Sequence, residues 1–135
     1  MRCNFLVLCE YAARLDTGGP VLMGLIRELR PPFLPIQLKP FYMACELEVD
    51  PYEADQTYVL QIRMIDQDGR LYYEQEIEVE FHRRPQMRAS YAYFAGLVRV
   101  EQLIEIPGDY RFDVVLGDQV LKSTVFIVHD LGAEE

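Results

Sequence analysis

The chain has 135 residues, half of them hydrophobic, and carries 22 acidic against 13 basic residues for a net charge of −9. A chain of this length buries roughly two-thirds of its unfolded surface as one domain, without needing disulfides or metals. Its basic residues are scattered apart from His82-Arg83-Arg84, which excludes the clustered basic surface of a nucleic-acid binder and disfavours an anionic membrane.

The first predicted strand covers residues 3–15. Phe5, Leu6, Val7 and Leu8 are apolar at both parities, so both faces of this strand are expected to be covered. Asp16-Thr17-Gly18-Gly19 signals a reversal, and Val21 to Leu29 is expected to return antiparallel, again apolar at both parities. A small sandwich has little protein of its own with which to cover both faces of a hairpin. A contact with another subunit is therefore expected here, with Leu6, Leu8, Leu22 and Ile26 as its residues; an overlying loop is the alternative. The proline-rich run from Arg30 to Pro35 cannot join a central ladder and is expected to cross between sheets, pinned by Phe33, Leu34 and Ile36.

Phe41, Met43, Cys45, Leu47 and Val49 alternate with more polar residues as a strand with one face inward, ended by Asp50-Pro51. In the next hairpin Tyr58, Leu60, Ile62 and Met64 face one way. After Asp66-Gln67-Asp68-Gly69 the inward set becomes Leu71, Tyr73, Ile77, Val79 and Phe81, leaving Glu74, Glu76, Glu78 and Glu80 outward with Arg63 as a partner. Residues 82–90 read as a polar connection. Tyr91 to Ile104 reads as one long strand with a bulge or bend at Gly96. The last hairpin spans Ile106 to Val128 and reverses at Gly117-Asp118. Pairing Leu116 with Gln119 sets Val114 against Leu121, Phe112 against Ser123 and Tyr110 against Val125. The reading is an all-β, two-sheet antiparallel sandwich of about eight strands with little or no helix, in a single domain over residues 1–131 followed by an acidic tail over 132–135.

Chemistry is sparse. Asp66-Gln67-Asp68-Gly69 begins like a calcium loop, but the twelfth residue is Ile77 where a bidentate Glu is needed, so a hairpin turn is expected. Cys3, Cys9 and Cys45 have no metal-ligand spacing and read as reduced, packed thiols. His82 and His129, both at strand ends, are the only imidazoles; an enzyme would need one of them beside a carboxylate or thiol in a pocket. Arg2, the apolar run from Phe5 to Cys9 and Ala12-Ala13 imitate a signal peptide, but the run falls short of the ~7 residues of a signal core and Glu10 interrupts it. No run approaches the ~18 apolar residues of a membrane span, so a cytosolic location is expected.

Three segments resemble an uncharacterised family of short bacterial β-sandwich proteins: Leu8-Cys9-Glu10-Tyr11-Ala12, Val21 to Arg27 with its Leu22-Met23-Gly24, and Pro107-Gly108-Asp109-Tyr110-Arg111-Phe112. The last also resembles the start of a late strand in immunoglobulin-like sandwiches, where the Tyr fixes a corner. The resemblance implies that fold and carries no catalytic residue or ligand. Taken together, the expectation is a non-enzymatic cytosolic interaction or structural module of unknown function, without cofactor, whose partner is protein, foremost a second copy of itself. The alternative is a module binding a small molecule or carbohydrate through exposed tyrosines, with Tyr72, Tyr91 and Tyr93 as contacts.

Overall fold

The computed structural model describes residues 1–16, 19–81 and 92–130, with residues 92–97 as backbone. Its strands in chain order are β1 (Arg2–Arg14), β2 (Pro20–Leu25), β3 (Glu28–Leu29), β4 (Ile36–Gln37), β5 (Phe41–Val49), β6 (Thr57–Asp66), β7 (Leu71–Glu80), β8 (Ala92–Val100), β9 (Leu103–Ile104), β10 (Gly108–Leu116) and β11 (Gln119–Val128). Three of the eleven strands have two residues each, and the other eight account for the expected number. Among the described residues the helical content is one 3₁₀ turn, Pro51–Glu53, whose Glu53 carboxylate accepts the Asp50 amide.

A four-stranded sheet has the order β2-β1-β5-β8, a five-stranded sheet the order β3-β11-β10-β6-β7, and β4 with β9 forms a small ribbon. Pairing is antiparallel except between β3 and β11. The two larger sheets share one core in a sandwich-like arrangement. Leu6, Leu8, Phe41, Met43, Cys45 and Leu47 come from the first; Leu60, Ile62, Met64, Tyr110, Phe112 and Phe126 come from the second. The Phe41 ring meets Phe112 at 6.0 Å and Phe126 at 6.4 Å, both edge-on, so the sheets are joined through aromatic contacts.

Two expectations fail where a strand holds one extra residue. Between Val114 and Val115 the ladder slips, leaving Leu121 unpaired, so Phe112 lies opposite Thr124 and Tyr110 opposite Phe126. Phe126 and Val128 are therefore buried, and Val125, the expected partner of Tyr110, is exposed. A second slip at Tyr72 puts Leu71 on the outer side, where it is exposed, while Tyr73 stays opposite Met64. A third extra residue, at Asn4, lets both Cys3 and Leu6 face inward. Gly96, by contrast, sits in an unbroken ladder with β5, so no bulge occurs there.

The expected return strand over Val21–Leu29 is two strands. β2 pairs with β1, then the chain leaves that sheet and β3 joins β11 in the other. The crossing thus precedes the prolines, and the proline run belongs to the way back. Leu34 and Ile36 do pack on the core edge, but Phe33 is exposed. The long strand expected from Tyr91 to Ile104 is likewise interrupted after Val100, because β9 pairs with β4.

At the last hairpin Gly117 has φ +60° and Asp118 does not share it, which is the geometry of a type II′ turn. Upstream, the Tyr110 hydroxyl donates to the Ile106 carbonyl at 2.6 Å and fixes the corner into β10. Burial, with the nearby Tyr72 and Asp66, raises the Tyr110 phenol well above its ordinary pKa and keeps it neutral. Tyr110→Phe removes that one hydrogen bond and is expected to cost about 1 kcal/mol, whereas Phe112→Ala, which empties the inter-sheet contact, costs about 3–5 kcal/mol. Urea unfolding reads both as lower midpoints at constant slope; an unchanged midpoint for Tyr110→Phe would show that the hydroxyl does not hold the corner.

Candidate functional site

The four-stranded sheet presents its other face to the outside. Register places Val21, Met23 and Leu25 of β2 beside Ala13, Tyr11 and Cys9 of β1, and Cys9 and Val7 in turn beside Tyr42 and Ala44 of β5. Tyr11, Met23 and Leu25 are 52%, 59% and 57% exposed. Phe5, Val7, Ala13, Val21 and Tyr42 are half-buried. Cys9 and Ala44 are buried yet lie outside the core cluster, which makes them the floor of this outer layer. The Tyr11 and Tyr42 rings meet edge-on at 6.3 Å, so this layer is itself packed. The apolar patch stands out on a chain of net charge −9.

This surface is adjacent to the residues named from sequence but is not the same set. Leu6 and Leu8 are 5% and 2% exposed and face the core, so neither can meet a second subunit. The outward set of β1 is instead Phe5, Val7, Tyr11 and their neighbours. Leu22 and Ile26 are half-buried, and Ile26 packs on the core where the chain crosses between sheets. Tyr72 is also corrected: its ring lies edge-on against Tyr110 at 5.5 Å with the Arg70 guanidinium over it, so it offers no open stacking surface. Tyr93 is placed by its backbone opposite Glu48; Tyr91, His82 and the acidic tail lie outside the described residues.

The other polar features resolve into structure. Asp66 accepts the amides of Asp68 and Arg70 at 2.9 and 2.8 Å, which is the signature of a side-chain-closed turn. Asp113, buried on the outer side of the second sheet, takes two bonds from Arg111 at 2.9 and 3.1 Å and one from the Ser123 hydroxyl at 2.5 Å. The four glutamates from Glu74 to Glu80 are exposed on β7, an edge strand, with Arg63 4.0 Å from Glu74. Charges along an edge discourage pairing with another sheet. His129 sits 3.7 Å from the exposed Glu28. No group of three or more His, Cys, Asp or Glu among the described residues could hold a metal ion, and no helix among them is long and apolar enough to cross a membrane.

The chain is thus an all-β protein of sandwich-like build with an apolar patch on the outer face of its four-stranded sheet. Residues 4–129 match the family of unknown function DUF6941, and the chain belongs to that family. No curated protein matches it.

Cys3, Cys9 and Cys45 are all free and buried. Burial raises the pKa of the Cys9 thiol, whereas a hydrogen bond from Cys45 lowers that of Cys3 against the opposing effect of burial. An aromatic disulfide reagent is expected to leave the native protein almost unlabelled, with Cys3 the first to react, and to titrate three thiols in guanidinium. Rapid labelling of Cys9 in the native protein would contradict the packing of the outer layer.

Proposed function

We propose that the chain is a non-enzymatic protein-contact module that pairs with a second copy of itself through the outer face formed by β2, β1 and β5. The observation that carries this reading is the exposure of Tyr11, Met23 and Leu25 side by side, over a floor of Cys9 and Ala44. An apolar centre with charges confined to its margin is the anatomy of a protein interface.

The second copy is favoured over an unrelated partner by charge. The centre carries no ionisable group other than its tyrosines and Cys9, so two acidic chains can meet there without opposing carboxylates. At the margin, Glu46 and Glu48 lie beside the β1 residues Phe5 and Arg2, and Arg99 lies opposite Tyr42. Glu48 is paired with Arg2 at 3.0 Å and Arg99 with Glu101 at 3.2 Å, so these marginal charges are balanced within each copy and the apolar centre is left to make the contact. The three free thiols favour a reducing compartment, and we place the protein in the cytosol.

Sedimentation equilibrium is expected to give twice the 15.8 kDa chain mass for the wild type. The pair of substitutions Met23→Glu and Leu25→Glu, both on exposed positions, should give a folded monomer with unchanged far-UV circular dichroism. A wild type that stays monomeric at roughly 100 μM overturns the reading, as does a double variant that remains dimeric.

A further inference from the structure

A second surface lies on the opposite side of β1. The inward row of that strand runs Leu6, Leu8 and then Glu10, an acid where the core would be continued by an apolar side chain. Glu10 faces a groove of about 550 Å³ bounded by the crossing segments on either side of the proline run. Phe41 is buried at its base, and Ile26, Leu29, Ile36 and Leu38 are half-buried along it. Arg30 and Lys39 also line it. The volume is that of a small-ligand site, and apolar walls with a few polar groups are the usual composition of one.

The place of Glu10 is prepared by a glycine. A Cβ on Gly24 would stand 2.9 Å from Oε2 of Glu10 and 3.1 Å from its Cδ and Cγ, so the carboxylate lies against the glycine and a side chain there would displace it. Gly24 also has φ +69°, where a side chain is strained in any case. Despite this seating, no hydrogen bond or ion pair joins Glu10 or Lys39 to another described residue. Arg30 reaches only Glu28, at 3.7 Å and with both side chains exposed.

From this arrangement we infer that the groove binds an apolar zwitterion of short-peptide size, its ammonium on Glu10 and its carboxylate on Lys39 and Arg30. A fatty acid would satisfy the cations and leave Glu10 facing its tail; an alkylamine would do the reverse. A molecule with both charges and an apolar body uses every group that lines the groove. Glu10 and Tyr11 project to opposite sides of β1, so the groove and the outer face are separate surfaces, and this inference does not rest on self-association.

Trileucine, N-acetyl-trileucine and trileucine amide are suitable probes, titrated calorimetrically into the full chain and into its Glu10→Gln and Lys39→Met variants. Both substitutions are at exposed positions, so each variant should retain the fold, checked by its urea midpoint. Trileucine is expected to bind saturably. N-acetylation should weaken binding to the wild type about fivefold or more and leave Glu10→Gln nearly indifferent; amidation should weaken binding to the wild type about fivefold or more and have a clearly smaller effect on Lys39→Met, which retains Arg30. The absence of saturable trileucine binding overturns the inference. So does decanoate or decylamine binding as tightly as trileucine, or variants that respond to the blocked peptides as the wild type does.

Discussion

Everything else in the molecule depends on the contact that Phe41 makes across the interior. It belongs to β5, at the centre of the four-stranded sheet, and its ring stands edge-on to Phe112 and Phe126 of the other sheet. Tyr110 stacks on Phe126 at 5.4 Å and is tied by its hydroxyl to the corner that leads into β10. One aromatic set therefore fixes the distance between the sheets, the entry angle of β10 and the register of the last hairpin. Because aromatic rings are large and rigid, the residues around them must be placed to within about one side chain, and bulges are the means by which the strands comply.

Those bulges decide which half of the sequence pattern is legible. Strict alternation identified the inward sets of β5 and β6, from Phe41 to Val49 and from Leu60 to Met64, since no residue interrupts them. It also placed the outward glutamates of β7, which lie on the regular part of that strand. It failed at Tyr72 and Leu121, where one extra residue inverts the parity of everything on one side, and a third such residue stands at Asn4. A bulge leaves no compositional mark: Asn, Tyr and Leu share nothing at these positions. The double parity of Phe5 to Leu8 has a different cause, since all four lie beyond the slip: Leu6 and Leu8 fill the core while Phe5 and Val7 are apolar on the outer face.

The consequence for the candidate site is specific. Apolar residues at both parities of β1 and β2 pointed to two apolar faces, but they could not reveal which parity the protein covers for itself. The inter-sheet aromatics settle that, because Leu6 and Leu8 share the core with Phe41. Val7, Tyr11, Met23 and Leu25 are left on the outside. Likewise the groove could not be read from sequence, since Glu10, Arg30 and Lys39 come to line it only after the chain has crossed to β3 and returned through the β4 ribbon.

Three of the four edges of the two larger sheets, all but β8, are poorly suited to extension by another strand. β7 is guarded by its glutamates, and β3 offers only two residues. β2 begins with Pro20, which lacks a donor, and is bent at Gly24, whose positive φ breaks the regular extended line. A partner strand arriving at β2 would find little regular ladder to extend, whereas one arriving over its side chains meets Met23 and Leu25 beside Tyr11. The same glycine that blunts the edge also makes room for the Glu10 carboxylate on the inner side. Gly24 thus interrupts the regular strand at the edge of its sheet while the Glu10 carboxylate rests against it on the inner side.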